Sequence, residues 1–172
     1  MKRGNKNIII IGMPGCGKTT IGKLIADKLN REFCDVDGYI EKKEGRSIPD
    51  IFRDHGEGYF RNLEKSAVEE VSKYTECIIS SGGGVVKLSS NMELLRKNGI
   101  IIFINRTVDD IISDIEIEGR PLLKNGKERL YKLYAERIEL YRKYCDYEIK
   151  NRGCIDEVVN EILDIIQTEG SS

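Results

Sequence analysis

Ile8-Ile9-Ile10-Ile11-Gly12-Met13-Pro14-Gly15-Cys16-Gly17-Lys18-Thr19 decides how the rest of the chain is read. Four consecutive β-branched residues have the pattern of a strand covered on both faces. The eight residues after them fit G-x-x-x-x-G-K-[ST], the phosphate-binding loop. Gly12, Gly15 and Gly17 let the backbone turn tightly and bring its N–H groups close to an anion. Ile21, Leu24, Ile25 and Leu29 then recur at the spacing of one helical face, so a helix is predicted over 20–29. An anion held by the loop sits at that helix's N-terminus, where free N–H groups and the macrodipole favour negative charge. In this motif Cys16 and Thr20 line the loop, Lys18 reaches the β- and γ-phosphates, and the Thr19 hydroxyl ligates Mg²⁺. A glycine-rich turn that binds nothing is the plain alternative; strand before and helix after argue against it.

Outward from this stretch, apolar runs alternate with helical patterns, the signature of a parallel sheet with crossover helices. Strands are expected at Glu32-Phe33-Cys34, at Cys77 to Ser80, at Ile100 to Ile104 and at Tyr147-Glu148-Ile149. Between them, a helical stretch ends at Gly45, and Ser47 with Pro49 reads as a helix cap and first turn. Gly56-Glu57-Gly58 interrupts before a long helical pattern from Tyr59 to Tyr74. Further helices are expected over 89–97, after the capping Thr107, over 127–144 and over 155–166, with residues 170–172 frayed. Periodicity fails from Ser113 to Lys127, where Gly119-Arg120-Pro121 breaks any helix, and this segment is read as a lid.

A chain of 172 residues reads as one domain. A formal net charge of −1 argues against a broad nucleic-acid-binding surface, and no apolar run is long enough to span a bilayer. With no signal-peptide pattern at the N-terminus, a cytoplasmic location is expected. Cys16, Cys34, Cys77, Cys145 and Cys154 are odd in number and form no C-x-x-C pair, so reduced thiols are expected rather than disulfides or zinc. Cys16, close to a helix N-terminus that can lower a thiol pKa, is read as a site of alkylation or oxidation. His55, the only histidine, is read as a surface loop residue without a catalytic role.

In open α/β sheets the C-terminal ends of the strands face the ligand crevice. That places Asp35 and Asp37 after the second strand, Gly82, Gly83 and Gly84 after the third, and the phosphate loop beside one another. At these residues the chain resembles the shikimate kinases. The resemblance rests on GMPGCGKTTIGKLIA, DVD, GRSIPDIF with GEGYFRNLE, SSGGGVV, GRPLL and RIELYRKY, in family order over nearly the whole chain. It implies five parallel strands flanked by helices, as in nucleoside monophosphate kinases, with a substrate-binding subdomain over about 35–64 and a mobile lid over about 113–127. It implies phosphorylation of the 3-hydroxyl of shikimate by ATP with Mg²⁺, in aromatic amino-acid biosynthesis, by a protein expected to be a monomer.

The resemblance also distributes roles. Arg61 and Arg137 hold the substrate carboxylate, for which a guanidinium offers a bidentate fork. Asp37 binds the reacting hydroxyl and can accept its proton. Gly82 to Gly84 let the ligand approach the backbone. Asp35, expected to point away from Asp37, serves Mg²⁺ through water. Arg120 of GRPLL joins Lys18 and Mg²⁺ on the transferring phosphoryl when the lid closes. Bland alternatives are a helix cap for Asp35, solvated charges for Arg61 and Arg137, and a flexible turn for the glycines. The chain departs from the family in the lid: Ser113 stands where relatives carry an arginine that stacks on adenine, and Arg152 is assigned to cover the base instead. The acidic run around Glu116 and Glu118 is expected to raise the cost of closing over ATP, an effect that salt screens. A kinase for another polyol acid such as gluconate, and a nucleotide-binding module without catalysis, are the rival readings.

Overall fold

The β-branched runs do form the centre of the molecule. The computed structural model describes residues 6–117 and 124–171. Five strands form one parallel sheet: β1 (Asn7–Ile11), β2 (Phe33–Asp35), β3 (Ile78–Ser80), β4 (Gly99–Asn105) and β5 (Tyr147–Lys150), in the order β2-β3-β1-β4-β5. β1 and β4 pair from Asn7 with Gly99 to Ile11 with Phe103, and nearly every side chain on both is buried, as strands covered on both faces require.

The covering helices are α1 (Lys18–Leu29), α2 (Val36–Glu44), α3 (Ile48–Val71), α4 (Ser89–Lys97), α5 (Val108–Ile117), α6 (Lys124–Tyr144) and α7 (Ile155–Ser171). Their ends follow local chemistry. Ser47 caps α3 by accepting from the Asp50 N–H, Thr107 does the same for Asp110 before α5, and Gly45 closes α2 at φ 66°. Among the described residues no helix is long and apolar enough to cross a membrane.

Four expectations change. His55 lies on the exposed last turn of a helical stretch and not in a loop, just ahead of the break at Gly56, which stands as expected: its φ of 80° and ψ of 178° divide α3 into two stretches. Residues 113–117 continue α5, because Ile111, Ile112 and Ile115 keep a helical apolar face down to them. Lys124–Tyr144 begins α6 earlier than the sequence pattern suggests. Gly170 and Ser171 end α7 as helix instead of fraying, with the Ser171 hydroxyl donating to the Gln167 carbonyl.

Candidate functional site

A cavity of about 700 Å³ opens at the C-terminal edge of the sheet. The phosphate loop leaves the central strand β1, and the glycine loop 82–84 leaves its neighbour β3, so the sheet brings them together. The cavity is lined by Pro14 to Thr20, by Asp35 and Asp37, by Ser80 to Gly83, and at its far side by residues of α5 and the β5–α7 turn.

The phosphate loop is a backbone structure. Gly12, Gly15 and Gly17 adopt φ of 152°, 82° and 101°, and a Cβ at Gly12 would stand 2.6 Å from the Ile104 carbonyl oxygen. No side chain caps α1, whose first N–H groups face the cavity behind Gly17. Lys18 is buried, its Nζ donating to the carbonyls of Gly12 at 2.9 Å and Met13 at 2.8 Å. Thr19 and Thr20 are exposed on the cavity wall. Asn151 braces the loop from β5's end: its Nδ2 donates to the Cys16 carbonyl at 3.0 Å while its Oδ1 accepts from the Gly153 N–H. Nothing in the local sequence marked Asn151 beyond its place at a strand end. Cys16 is fully buried against Lys18, which corrects the expectation of an accessible thiol; among the described cysteines Cys154 is the exposed one.

The acceptor end is a side-chain structure. Asp35 closes β2 and caps α2, its Oδ1 accepting from the Asp37 N–H at 3.2 Å. That cap puts Asp37 in the first helical turn instead of on the strand, so both carboxylates face the same cavity, contrary to the expectation that they diverge. The bland reading of Asp35 as a cap is thus correct, and the carboxylate lines the cavity as well. Burial, with the Asp35 charge adding to it, raises the Asp37 carboxyl above its usual range, while Lys18 and Arg61 pull the other way. Its Oδ1 is buried and has no partner among the described residues, as suits an acceptor waiting for a ligand hydroxyl.

The glycine loop is the surface on which the rest converges. A Cβ at Gly82 would stand 2.7 Å from Asp37 Oδ1 and 3.1 Å from Glu64 Oε2. One at Gly83 would meet Pro14 at 2.8 Å and Arg137 Nη1 at 3.2 Å, and one at Gly84 would overlap the Arg61 guanidinium at 2.2 Å. Arg61 and Arg137 thus stand just beyond the cavity's lining, against the same loop. Neither is a solvated surface charge: Arg137 is buried, and the Arg61 side chain is 15% exposed. Tyr141, stacked on Phe103, donates to the Gly83 carbonyl at 2.5 Å, and burial pushes its phenol up to about 12.

Glu64 is the residue that sequence reasoning missed. It is fully buried, pairs with Arg61 Nη1 through Oε1 at 2.8 Å, and leaves Oε2 without a partner among the described residues. Burial raises its carboxyl and Arg61 opposes the shift. The signal was present in the pattern: Phe60, Glu64, Ala67, Val68 and Val71 form one buried stripe of α3, and a glutamate within such a stripe needs a partner.

Arg152 is exposed and lines a separate depression with Asn105, Tyr134, Arg142 and Lys150, although its neighbours Asn151 and Gly153 reach the main cavity. Arg120 lies outside the described residues. Glu116 pairs with Lys127 at 2.7 Å, so the acidic run is partly neutralised. Among the described residues no cluster of three or more His, Cys, Asp or Glu could hold a metal by itself. Thr19 and Asp35 nevertheless fit Mg²⁺, which is commonly held by one or two protein groups together with phosphates and water.

A phosphate loop on a five-stranded parallel sheet, with a polar and charged acceptor pocket at its side, defines a nucleotide-dependent small-molecule kinase of the phosphate-loop class. The sequence model of the family described as shikimate kinase matches residues 14–167. A shikimate kinase of Clostridium botulinum (strain Alaska E43 / Type E3) is 52% identical over 159 residues, covering 92% of this chain and 96% of the relative; one of Clostridium beijerinckii is 48% identical over 159 residues, covering 92% and 94%. The solved shikimate kinase from Acinetobacter baumannii in complex with shikimate superimposes with a TM-score of 0.86 at 34% identity, covering 95% of this chain and 93% of that one. The chain belongs to the shikimate kinase family.

Proposed function

We propose that the chain transfers the γ-phosphoryl of Mg·ATP to the 3-hydroxyl of shikimate. The observation that supports this most is the convergence on one glycine loop of a carboxylate with a buried oxygen, Asp37, a half-buried guanidinium, Arg61, and a buried one, Arg137, next to a complete phosphate loop. A ring acid with one carboxylate and several hydroxyls requires that combination. Arg61 and Arg137 bind the carboxylate; Asp37 accepts the hydroxyl hydrogen bond and takes the proton as the oxygen attacks. Glu64 holds the Arg61 guanidinium in place from behind. Gly82 to Gly84 let the ring lie against the backbone, since any Cβ there meets the charged groups.

At the other end the loop N–H groups, Lys18 and the start of α1 bind and orient the phosphates, so that positioning and charge neutralisation do most of the catalysis. Thr19 and Asp35 would hold Mg²⁺, which when bound would supply further positive charge to the phosphates. Arg120 would add its charge on closure of a lid over about 113–127, excluding water from the reaction.

The test is a coupled ADP-release assay with Mg·ATP and shikimate, gluconate or no acceptor. Release that depends on shikimate alone supports the reading. Release with gluconate instead reassigns the acceptor pocket, and the absence of acceptor-dependent release with either acid contradicts the activity.

A further inference from the structure

The cavity continues past the phosphate loop on the side away from the acceptor. Pro14 faces Gly83 at one end, whereas Gly15 packs against Ile111 of α5, and Gly17 against Asn151 and Ile155. Beyond them lie Arg106, Asp114 and Ile115. The loop's N–H groups account for phosphates, and the acceptor end for the substrate, which leaves this third compartment with a different occupant. Its chemistry is distinctive. Arg106 follows β4 directly, and its side chain is 9% exposed. Its Nη2 donates to Asp114 Oδ2 at 2.7 Å, two turns along α5, which lays the guanidinium along the helix. Its Nε is buried without a partner among the described residues. A buried cation with an open donor is costly unless a ligand completes it. With Ile115 and Ile155 also lining the compartment, a planar cation and aliphatic walls suit an aromatic heterocycle, and not a second anion, which would sit against Asp114.

We infer that Arg106 recognises the base of the bound nucleotide, its guanidinium lying on the ring and Asp114 fixing the guanidinium's orientation. This rests on the reading of the loop as a nucleotide site. It assigns to the β4–α5 turn the contact that neither Ser113, exposed and outside the cavity lining, nor Arg152, in its separate depression, makes.

The experiment is calorimetric titration of the full chain with Mg·ADP and, separately, with inorganic tripolyphosphate, for the wild type, Arg106→Ala and Arg106→Lys, with thermal melts alongside. Arg106→Ala is expected to weaken Mg·ADP about tenfold, the scale of one base–side-chain stack, and to change tripolyphosphate by no more than about twofold. Arg106→Lys keeps the charge, the stem and the pairing with Asp114 but loses the plane, and is expected to remain several-fold weak for Mg·ADP alone. Should Arg106→Ala fail to fold, the lysine variant decides. Unchanged Mg·ADP affinity in both variants overturns the inference. So does an equal loss for both ligands, which would make Arg106 a phosphate contact, or full recovery by lysine, which would make it a structural ion pair. A wild type that binds neither ligand overturns the nucleotide reading itself, and the inference with it.

Discussion

The two ends of the cleft are built by different means. The phosphate end is contiguous backbone: three glycines at positive φ, the free N–H groups of α1, and Lys18 folded onto the loop's own carbonyls. The acceptor end is assembled from side chains of three elements, Asp37 of α2, Arg61 and Glu64 of α3 and Arg137 of α6, against the loop after β3. On the proposed reading, one end binds a group common to all nucleotides, for which backbone donors suffice. The other recognises one acid among many, which needs charges set at fixed positions. Burial sharpens the contrast. It raises the carboxyls of Asp37 and Glu64, so each titrates above an ordinary carboxylate, whereas among the described residues the phosphate end holds no buried carboxylate.

That contrast predicts separable losses. Asp37→Asn removes the proton acceptor and should lower kcat about 100-fold or more with the fold intact by circular dichroism; near-normal turnover would remove Asp37 from the chemistry. Asn151→Ala strips the partner from the Cys16 carbonyl and from the Gly153 N–H, and should cost about 1–3 kcal/mol in denaturant unfolding. An unchanged midpoint would mean that the loop holds its shape without the brace. Arg61→Lys exchanges a fork for a point charge and should raise the KM for shikimate about tenfold while leaving that for ATP alone. An effect confined to ATP would place Arg61 at the wrong end of the cleft.

Glu64→Gln gives the smallest and most pH-dependent effect. The folded state holds the Glu64 proton more tightly than the unfolded chain, whose carboxyl titrates near 4.5. Stability due to the protonated form is therefore present below that value and lost as pH rises through the raised one. Wild-type thermal stability should fall relative to the glutamine variant over that window and then run parallel to it. A difference that moves the other way would mean that the Arg61 pairing outweighs burial.

How much of this was legible in the sequence follows the same division. The phosphate loop and the buried strands are written in consecutive residues, so local pattern was enough to place them. β2 is three residues long and only half-buried, and its pattern is correspondingly faint. Asp37 was found by type and family position, but its orientation was missed because a two-residue cap by Asp35 turns the chain into helix one residue earlier than a strand reading allows. Asn151 finds its partner far away in sequence, 135 residues off at the Cys16 carbonyl, and only the tertiary fold supplies it. Glu64 and Arg106 pair locally, with Arg61 and Asp114, but their burial against distant elements is set by the tertiary fold. The fold class and most of the acceptor charges could be read; what held each charge in place could not.

Gly84→Ala tests the separation of the two ends most directly. Its Cβ would stand 2.2 to 2.5 Å from three atoms of the Arg61 guanidinium, which are its nearest neighbours. Steady-state kinetics against both substrates should show the KM for shikimate raised about tenfold or more, with that for ATP within about twofold of the wild type. Equal increases in both constants, or an increase for ATP alone, would contradict an acceptor site built around Arg61 and the glycine loop.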